Sequence, residues 1–224
     1  MADPAIRSRA LRRPADPLIA LAGVAVLVLG MWLVRRGSVS EPERVVFLGV
    51  NDLPDTLYFV LWPFQQMGAL LIGPVVAIAA AATRRYRLAC AALLATAAKL
   101  VLERVVKDVV DRQRPGTSIG AEAHLRGDVS AAGQSFVSGH AVLITALAGL
   151  VSPYLSGRWK IVPWALVGLV MVARVYVGAH NPLDVICGAA LGLAIAGVLN
   201  LVLGRPSATA RATDSTPVDR SIGE

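Results

Sequence analysis

The apolar residues of this chain are gathered into long blocks, and short polar segments separate one block from the next. Six blocks come close to the roughly 18–20 residues that a helix needs to cross about 30 Å of hydrocarbon. The pattern therefore predicts an all-α fold, a bundle of six transmembrane helices. The predicted spans cover residues 17–34, 57–82, 88–106, 141–155, 161–177 and 182–203.

Two segments depart from this simple pattern. The second span contains Pro63 and Pro74, which indicates a kink or a late start of the helix. Segment 38–56 mixes charged residues with apolar ones, as an amphipathic helix lying in the outer membrane interface would. We therefore expect a short interfacial helix between the first two spans.

Composition agrees with a membrane protein and explains the positive charge. Hydrophobic residues make up 55% of the chain and charged residues 17%, whereas soluble domains carry about 25% charged residues. The net charge of +7 comes from basic residues in the short segments around the spans. The sequence has no basic stripe with interleaved aromatic residues, so it argues against nucleic acid as a partner.

The distribution of arginine orients the chain. The N-terminus, the loops after the second and fourth spans, and the C-terminal tail are basic, and six spans place all four on one side. That side is predicted to be cytoplasmic in an inner or cell membrane. Three arginines on the other side count against this orientation: Arg35, Arg36 and Arg44. Residues 1–16 and 205–224 are predicted to be disordered cytoplasmic ends, so that residues 17–204 form one multi-pass membrane domain.

Three polar clusters interrupt the apolar pattern, and the predicted topology places all of them at the extracytoplasmic membrane surface. The first is KDVVDRQRP, residues 107–115, at the end of the third span. The second is SFVSGH, residues 135–140, at the start of the fourth span. The third is RVYVGAHNPLDV, residues 174–185, between the last two spans. Because the clusters concentrate His, Lys, Arg and Asp at one membrane edge, they indicate a functional site.

The clusters contain groups that suit a multiply charged anion. Lys107, Arg114 and Arg174 are cations from three segments, and a guanidinium can bind two phosphate oxygens at once. Ser138 can cap the fourth span, whose first N–H groups favour an anion, and Gly139 lets the backbone approach a ligand closely. Ordinary cationic anchors at the span ends are the alternative interpretation.

His180 and Asp184 lie four residues apart at the start of the sixth span, where Asn181-Pro182 is typical of an N-cap and a first helical position. This spacing lets Asp184 accept a proton from one imidazole nitrogen and leaves the other nitrogen as a base or nucleophile. A structural pair is the alternative. His140, His180 and Asp184 could supply enough ligands for zinc, but the surrounding cations would repel a metal.

The three clusters resemble the signature motifs of the type 2 phosphatidic acid phosphatase (PAP2) superfamily. The matching residues are Lys107-x6-Arg114-Pro115, Ser138-Gly139-His140 and Arg174-x5-His180-x3-Asp184. The resemblance covers roughly residues 88–203, and six spans fit the integral membrane branch of the family. Val137 replaces the usual proline of the second motif and Ala173 the usual serine of the third. We expect these two differences to affect only the local loop geometry and details of phosphate binding.

The resemblance implies a metal-independent phosphatase that needs no cofactor and acts on a lipid phosphate in the membrane. His180 would attack phosphorus and form a phosphohistidine, Asp184 would orient His180, and His140 would protonate the leaving oxygen. Five residues would bind the phosphate: Lys107, Arg114, Ser138, Gly139 and Arg174.

Several alternatives stay open. The favoured substrate is a polyprenyl phosphate or pyrophosphate carrier, because the site is expected to face outward, and phosphatidic acid and phosphatidylglycerophosphate are the other candidates. A lipid phosphotransferase could use the same phosphohistidine, and a channel or scaffold with decayed motifs is a non-enzymatic alternative. Within the third span, Lys99 and Glu103 indicate a structural ion pair, or a Glu103 that positions Lys107. The sequence leaves the oligomeric state undetermined.

Overall fold

The computed structural model describes residues 13–205, which form helices joined by loops and include an isolated β-bridge between Gln113 and Gln134. Its α-helices are α1 Ala15–Val34, α2 Glu41–Asn51, α3 Tyr58–Gln66, α4 Ile72–Ala82, α5 Tyr86–Val109, α6 Pro115–Ser118, α7 Gly139–Val151, α8 Ile161–Tyr176 and α9 Pro182–Leu203. Short 3-10 helices lie at Asp55–Leu57, Gly120–Glu122, Ser152–Tyr154 and Gly157–Lys160. The predicted all-α class is confirmed. The two predicted disordered ends lie mostly outside the described residues, so they stay predictions.

Helix α9 lies between α1 and α7, and small residues make both contacts close. A carbon atom added at Gly192 would collide with the backbone of α7, and one added at Gly188 would collide with Ser138, just before α7. A carbon atom added at Gly23 of α1 would collide with the carbonyl of Ala190 in α9. Close approach at small residues is typical of helices that pack in membranes. As a result, α7 and α9 begin side by side.

Helix α7 is at the core of the bundle. Ten of its 13 residues are buried, and it contacts α5, α8 and α9. Helix α4 packs against α5, and α3 packs against α8. The sequence of α7 is apolar nearly all round, as expected for a helix that other helices surround.

Within residues 13–205, three helical segments are long and apolar enough to cross a membrane: α1, α8 with its preceding turn (Gly157–Tyr176), and α9. Helix α2 and the segment Asp55–Gln66 would together form a fourth span, although they are bent by 76° relative to each other. Helix α4 and the segment Gly139–Tyr154 are apolar but shorter. These findings agree with a membrane protein, and the count of six spans stays a prediction.

The predicted span 57–82 is divided into two helices. Helix α3 contains Pro63 and ends at Gln66, and α4 begins at Ile72. Between them, Gly68 lies so close to His140 that an added carbon atom would collide with the backbone and Cβ of His140. The break therefore packs the chain directly against the start of α7.

Helix α2 confirms that segment 38–56 contains a short amphipathic helix. Unlike a helix on the surface of a soluble protein, it buries polar side chains and exposes valines. Glu43, Phe47 and Asn51 recur at every fourth position and are buried, whereas Val45 and Val46 are 60% and 55% exposed. In water the valines would be the buried residues. Outward-facing valines suit a lipid environment, and the inward face brings two polar side chains into the protein.

Candidate active site

The three polar clusters meet at the end of the bundle where α7 and α9 begin and α8 ends. Backbone hydrogen bonds join them in pairs. The N–H of Ser138 donates to the carbonyl of Asp184 at 3.0 Å, and the N–H of Ser135 donates to the carbonyl of Arg112 at 2.7 Å. The second cluster is thus tied to both the first and the third.

His180 is buried in the loop between α8 and α9. Its Nδ1 lies 3.0 Å from the carbonyl oxygen of Ser135. Because a carbonyl can only accept, this geometry places the proton on Nδ1 and leaves the lone pair on Nε2. Burial lowers the pKa of His180 to about 4; the carboxylate of Asp184 opposes this change, and the charges of Arg174 and Arg114 add to it. His180 is therefore neutral at neutral pH, as a nucleophilic imidazole must be.

Asp184 is fully buried in the first turn of α9. Its Oδ2 accepts the N–H of Asn181 at 2.8 Å as part of a capping box, and its Oδ1 accepts Nη1–H of Arg112 at 2.9 Å. The distance from Oδ2 to Nδ1 of His180 is 3.8 Å, which suits an ion pair and is too long for a direct hydrogen bond. The close acceptor for Nδ1 is instead Ser135, because both oxygens of Asp184 already bind other donors.

Arg174 enters the cluster from the last turn of α8. Its Nη1 donates to Oε1 of Gln65 at 2.9 Å, and its buried Nε has no hydrogen-bond partner among residues 13–205. The buried hydroxyl of Ser138 also has no partner in that range. Buried polar groups without partners are rare and costly, so these two atoms suit the binding of a polar ligand. Arg114 lies close enough for its charge to act on both Arg174 and His180.

Gly139, the first residue of α7, packs on Glu103 of α5. A Cβ at Gly139 would collide with both carboxylate oxygens of Glu103. Ser138 precedes it in the extended conformation of a helix N-cap, and the half-buried His140 follows, close enough to His180 for the two rings to be electrostatically coupled. The glycine that we expected to admit a ligand is thus also required by helix packing.

Glu103 binds two lysines of its own helix. Its Oε2 lies 2.8 Å from Nζ of Lys99, and its Oε1 lies 2.6 Å from Nζ of Lys107. The two interpretations of this pattern, an ion pair with Lys99 and a contact that positions Lys107, therefore describe one arrangement. These side chains border a groove of about 450 Å³, which is also lined by Leu100, Arg104, Asp108 and Gln134.

The structure thus brings most of the predicted site residues together directly. Seven of them lie at this end of the bundle: Arg114, Ser138, Gly139, His140, Arg174, His180 and Asp184. Lys107 is linked to the others through Glu103, which contacts Gly139.

Three further residues contact this cluster, and the sequence did not identify them. Arg112 is fully buried between Glu43 and Asp184, and Gln65 holds Arg174. Burial disfavours the charge of Arg112, but the hydrogen bond to Glu43 and the charge of Asp184 raise the pKa of Arg112 above its ordinary value. Arg112 lies in the first charged cluster, so the sequence did contain a signal that could have identified it. Glu43 and Gln65 lie far upstream on α2 and α3, and only the fold brings them to the site.

Comparisons with known proteins agree with the resemblance in the motifs. A sequence profile described as the PAP2 superfamily matches residues 88–207, slightly more than half of the chain. No curated protein sequence matches. Among solved structures, the chain is similar to a transmembrane PAP2 type phosphatidylglycerolphosphate phosphatase from Bacillus subtilis, with a TM-score of 0.62 and 18% identity over 88% of this chain and 98% of that one. It is also similar to LpxE from Aquifex aeolicus, with a TM-score of 0.59 and 23% identity over 70% and 93%. At these identities the two structures show the fold alone.

Proposed function

The chain belongs to the PAP2 superfamily, and we propose on this basis that it is a metal-independent membrane phosphatase that hydrolyses a lipid phosphate through a phosphohistidine. The main support is the state of His180. This imidazole is neutral, it is oriented through Nδ1 by Ser135, and it lies near the cations Arg114 and Arg174. A neutral imidazole beside cations suits attack on a phosphorus atom whose oxygens the cations hold.

The proposed reaction has two steps. In the first, Nε2 of His180 bonds to phosphorus while the bond from phosphorus to the leaving oxygen breaks, and His140 donates a proton to that oxygen. In the second, a water molecule attacks phosphorus, His140 takes a proton from the water, and the bond from nitrogen to phosphorus breaks. Asp184, whose Oδ2 lies 3.8 Å from Nδ1, offsets the positive charge on the phosphorylated ring.

Binding of the phosphate is assigned to groups from all three clusters. The cations neutralise the phosphoryl oxygens, and the Ser138 hydroxyl and the Gly139 N–H donate hydrogen bonds to them. Support comes from the buried Arg174 Nε and Ser138 Oγ, which have no hydrogen-bond partners within the described range. The cations of the proposed set are Lys107, Arg114 and Arg174. Together they perform the charge neutralisation for which other phosphatases use a metal ion.

The substrate is proposed to be a lipid. Three helices of membrane-spanning length support a lipid substrate, and so does the position of the clusters at the ends of α7, α8 and α9. A lipid can bring its headgroup to that level without leaving the bilayer.

We infer six spans and an extracytoplasmic site from the apolar blocks and the basic loops. An outward site favours a polyprenyl phosphate or pyrophosphate carrier. Phosphatidic acid and phosphatidylglycerophosphate are the alternatives.

Phosphate release by the purified protein tests this function. In EDTA, the wild type should release phosphate from at least one of four lipids, namely polyprenyl diphosphate, polyprenyl phosphate, phosphatidic acid and phosphatidylglycerophosphate. Vanadate should inhibit the release. A requirement for EDTA-sensitive divalent ions would contradict the metal-independent mechanism, and no release from any of the four would contradict the function.

A histidine variant serves as the matched control. His180→Ala should release no phosphate from any of the lipids. His124→Ala should remain active, because the side chain of His124 is 62% exposed and lies on a different loop. Equal activity of the two variants would show that the phosphatase activity does not depend on His180.

A further inference from the structure

A buried group of two carboxylates and one guanidinium lies beside His180. Arg112 donates through Nη1 to Oδ1 of Asp184 at 2.9 Å and to Oε1 of Glu43 at 3.1 Å, and its Nη2 binds the other oxygen of Glu43. Glu43 also accepts the backbone N–H of Leu183 at 2.9 Å. Helix α2 is thus joined to the first turn of α9 twice, once through Arg112 and once directly.

The charges of this group do not cancel. Glu43 and Asp184 carry two negative charges and Arg112 carries one positive charge, so the net charge is −1. Arg112 alone would neutralise Asp184. Because Glu43 supplies the second negative charge, Arg112 can hold Asp184 in place while the group still presents a negative charge to His180.

The burial of these charges indicates a use beyond packing. The side chains of Arg112 and Asp184 are 0% exposed and that of Glu43 is 5% exposed. Removing three charges from water is costly, and well-packed apolar residues of similar volume are often as stable or more stable. Glu43 lies outside residues 88–207, the segment that matches the family profile, so an upstream helix adds this charge to the motif residues.

We propose that Glu43 and Arg112 are positioning residues of the active site: together they fix Asp184 and maintain the net negative charge that stabilises the positively charged phosphohistidine. The proposal rests on the proposed function and concerns how its nucleophile is tuned. Neither residue touches the phosphate in this scheme, and both act through Asp184.

Charged and titratable groups face His180 from each of the elements around it. They are Asp184 on α9, Arg112 and Arg114 after α5, Glu43 on α2 through Arg112, Arg174 on α8 and His140 on α7. Asp184 raises the pKa of His180, whereas Arg174 and Arg114 lower it. Without the negative charge of Glu43, the positive charges of Arg174 and Arg114 are compensated less completely. The pKa of His180 should therefore fall.

The small number of histidines permits a direct test, since the chain contains only three. With 15N-labelled histidine in detergent micelles, NMR can follow each imidazole, and His124→Gln and His140→Gln variants assign the signals. Glu43→Gln should lower the titration midpoint of His180 by on the order of one pH unit. It should lower kcat by up to about tenfold and leave KM nearly unchanged. Glu41→Gln, on the exposed face of the same helix, is the matched control and should change neither quantity.

Two further variants separate charge from structure. Glu43→Gln combined with Arg112→Gln removes one charge of each sign, so it should return the midpoint of His180 toward the wild-type value and give a higher kcat than Glu43→Gln alone. Glu43→Asp keeps the charge and should keep the midpoint; it also provides the comparison with wild type if Glu43→Gln does not fold. The proposal is overturned if the midpoint and kcat of Glu43→Gln equal those of the wild type, if the double variant restores neither, or if Glu43→Asp shifts the midpoint as far as Glu43→Gln does.

The titration does not require turnover. It therefore tests the placement of charge beside His180 even if the wild type hydrolyses none of the lipids, whereas phosphate release by the wild type tests the proposed function separately.

Discussion

The ring of His180 is oriented by a backbone carbonyl, that of Ser135, at 3.0 Å from Nδ1. Asp184 lies beside the same nitrogen at 3.8 Å and is held by Arg112 and by its own capping box. Orientation and charge compensation are thus divided between two residues. In a hydrolase triad a single carboxylate performs both tasks, and replacing it also selects the wrong imidazole tautomer.

The first prediction concerns Asp184→Asn. Because Ser135 still accepts the proton of Nδ1, the variant should keep the tautomer and lose only the negative charge. The rate should fall by about 10–10²-fold, less than the roughly 10⁴-fold loss seen where asparagine disturbs the tautomer. The measurement is kcat/KM together with the 15N shifts of His180. A loss near 10⁴-fold with protonated Nε2 would show that Asp184 sets the tautomer.

The second prediction separates the two histidines. His180→Ala should be inactive on every substrate, since it removes the covalent step. His140→Ala should lose about 10²–10⁴-fold on a lipid phosphate but should still form the phosphoenzyme with an activated phosphate, whose leaving group needs no proton. Rapid acid quench with labelled substrate measures the phosphoenzyme. Label that persists in His180→Ala and vanishes in His140→Ala would reverse the two assignments.

The third prediction is a pH dependence. In the proposed reaction His180 attacks as the neutral base, and burial lowers the pKa of His180 to about 4. Protonation removes the nucleophile, so the acid limb of kcat/KM should fall as the pH drops through about 4. Because His140 acts as the acid in the proposed reaction, loss of its proton should lower kcat/KM on the alkaline side. Rates must be calculated on the dianionic substrate, because a phosphate monoester binds its second proton near pH 6. A fall centred near 6.5, the ordinary value for histidine, would contradict the effect of burial.

The fourth prediction compares two glycines. Gly139→Ala places a methyl group against the carboxylate of Glu103, so it should destabilise the protein by about 1–3 kcal/mol and lower activity by displacing the start of α7. Gly168→Ala in α8 is the control, because an added carbon there meets open space. Alanine in that helix should stabilise by up to about 1 kcal/mol. Thermal unfolding in detergent measures both, and equal melting temperatures would contradict the contact at Gly139.

The fifth prediction tests the orientation in the membrane. Ser130 is exposed in the long loop before α7, and the proposed topology of six spans would place this loop outside the cell. Ser130→Cys should therefore react with a membrane-impermeant thiol reagent in intact cells, against a background set by the native Cys90 and Cys187. Labelling only after lysis would place the loop, and the site beside it, on the cytoplasmic side.

The parts of the site that were predictable from the sequence depend on short-range signals. Asn181 and Asp184 lie three residues apart and form the capping box that begins α9, and motif spacing identified the residues that meet at this end of the bundle. Glu43 was visible as a charge on a short amphipathic helix, but its partner Arg112 is 69 residues away. Gln65 and Arg174 are 109 residues apart. Hydrophobic periodicity predicts which segments form helices and which helix faces are apolar, but it does not reveal pairs of residues that are distant in sequence.

Helix α2 buries its polar side chains and exposes its valines, and this arrangement determines the order in which the protein can assemble during its synthesis. During synthesis the helix leaves the ribosome with its valines suited to lipid and with Glu43 still unpaired. Arg112 follows 69 residues later, and the N–H of Leu183 follows 140 residues later. Until then Glu43 belongs at the water-exposed edge of the bilayer, because burial without its partners would be too costly. The reaction centre therefore closes only after nearly the whole described chain has entered the membrane, and a ribosome stalled before residue 183 holds an unfinished enzyme.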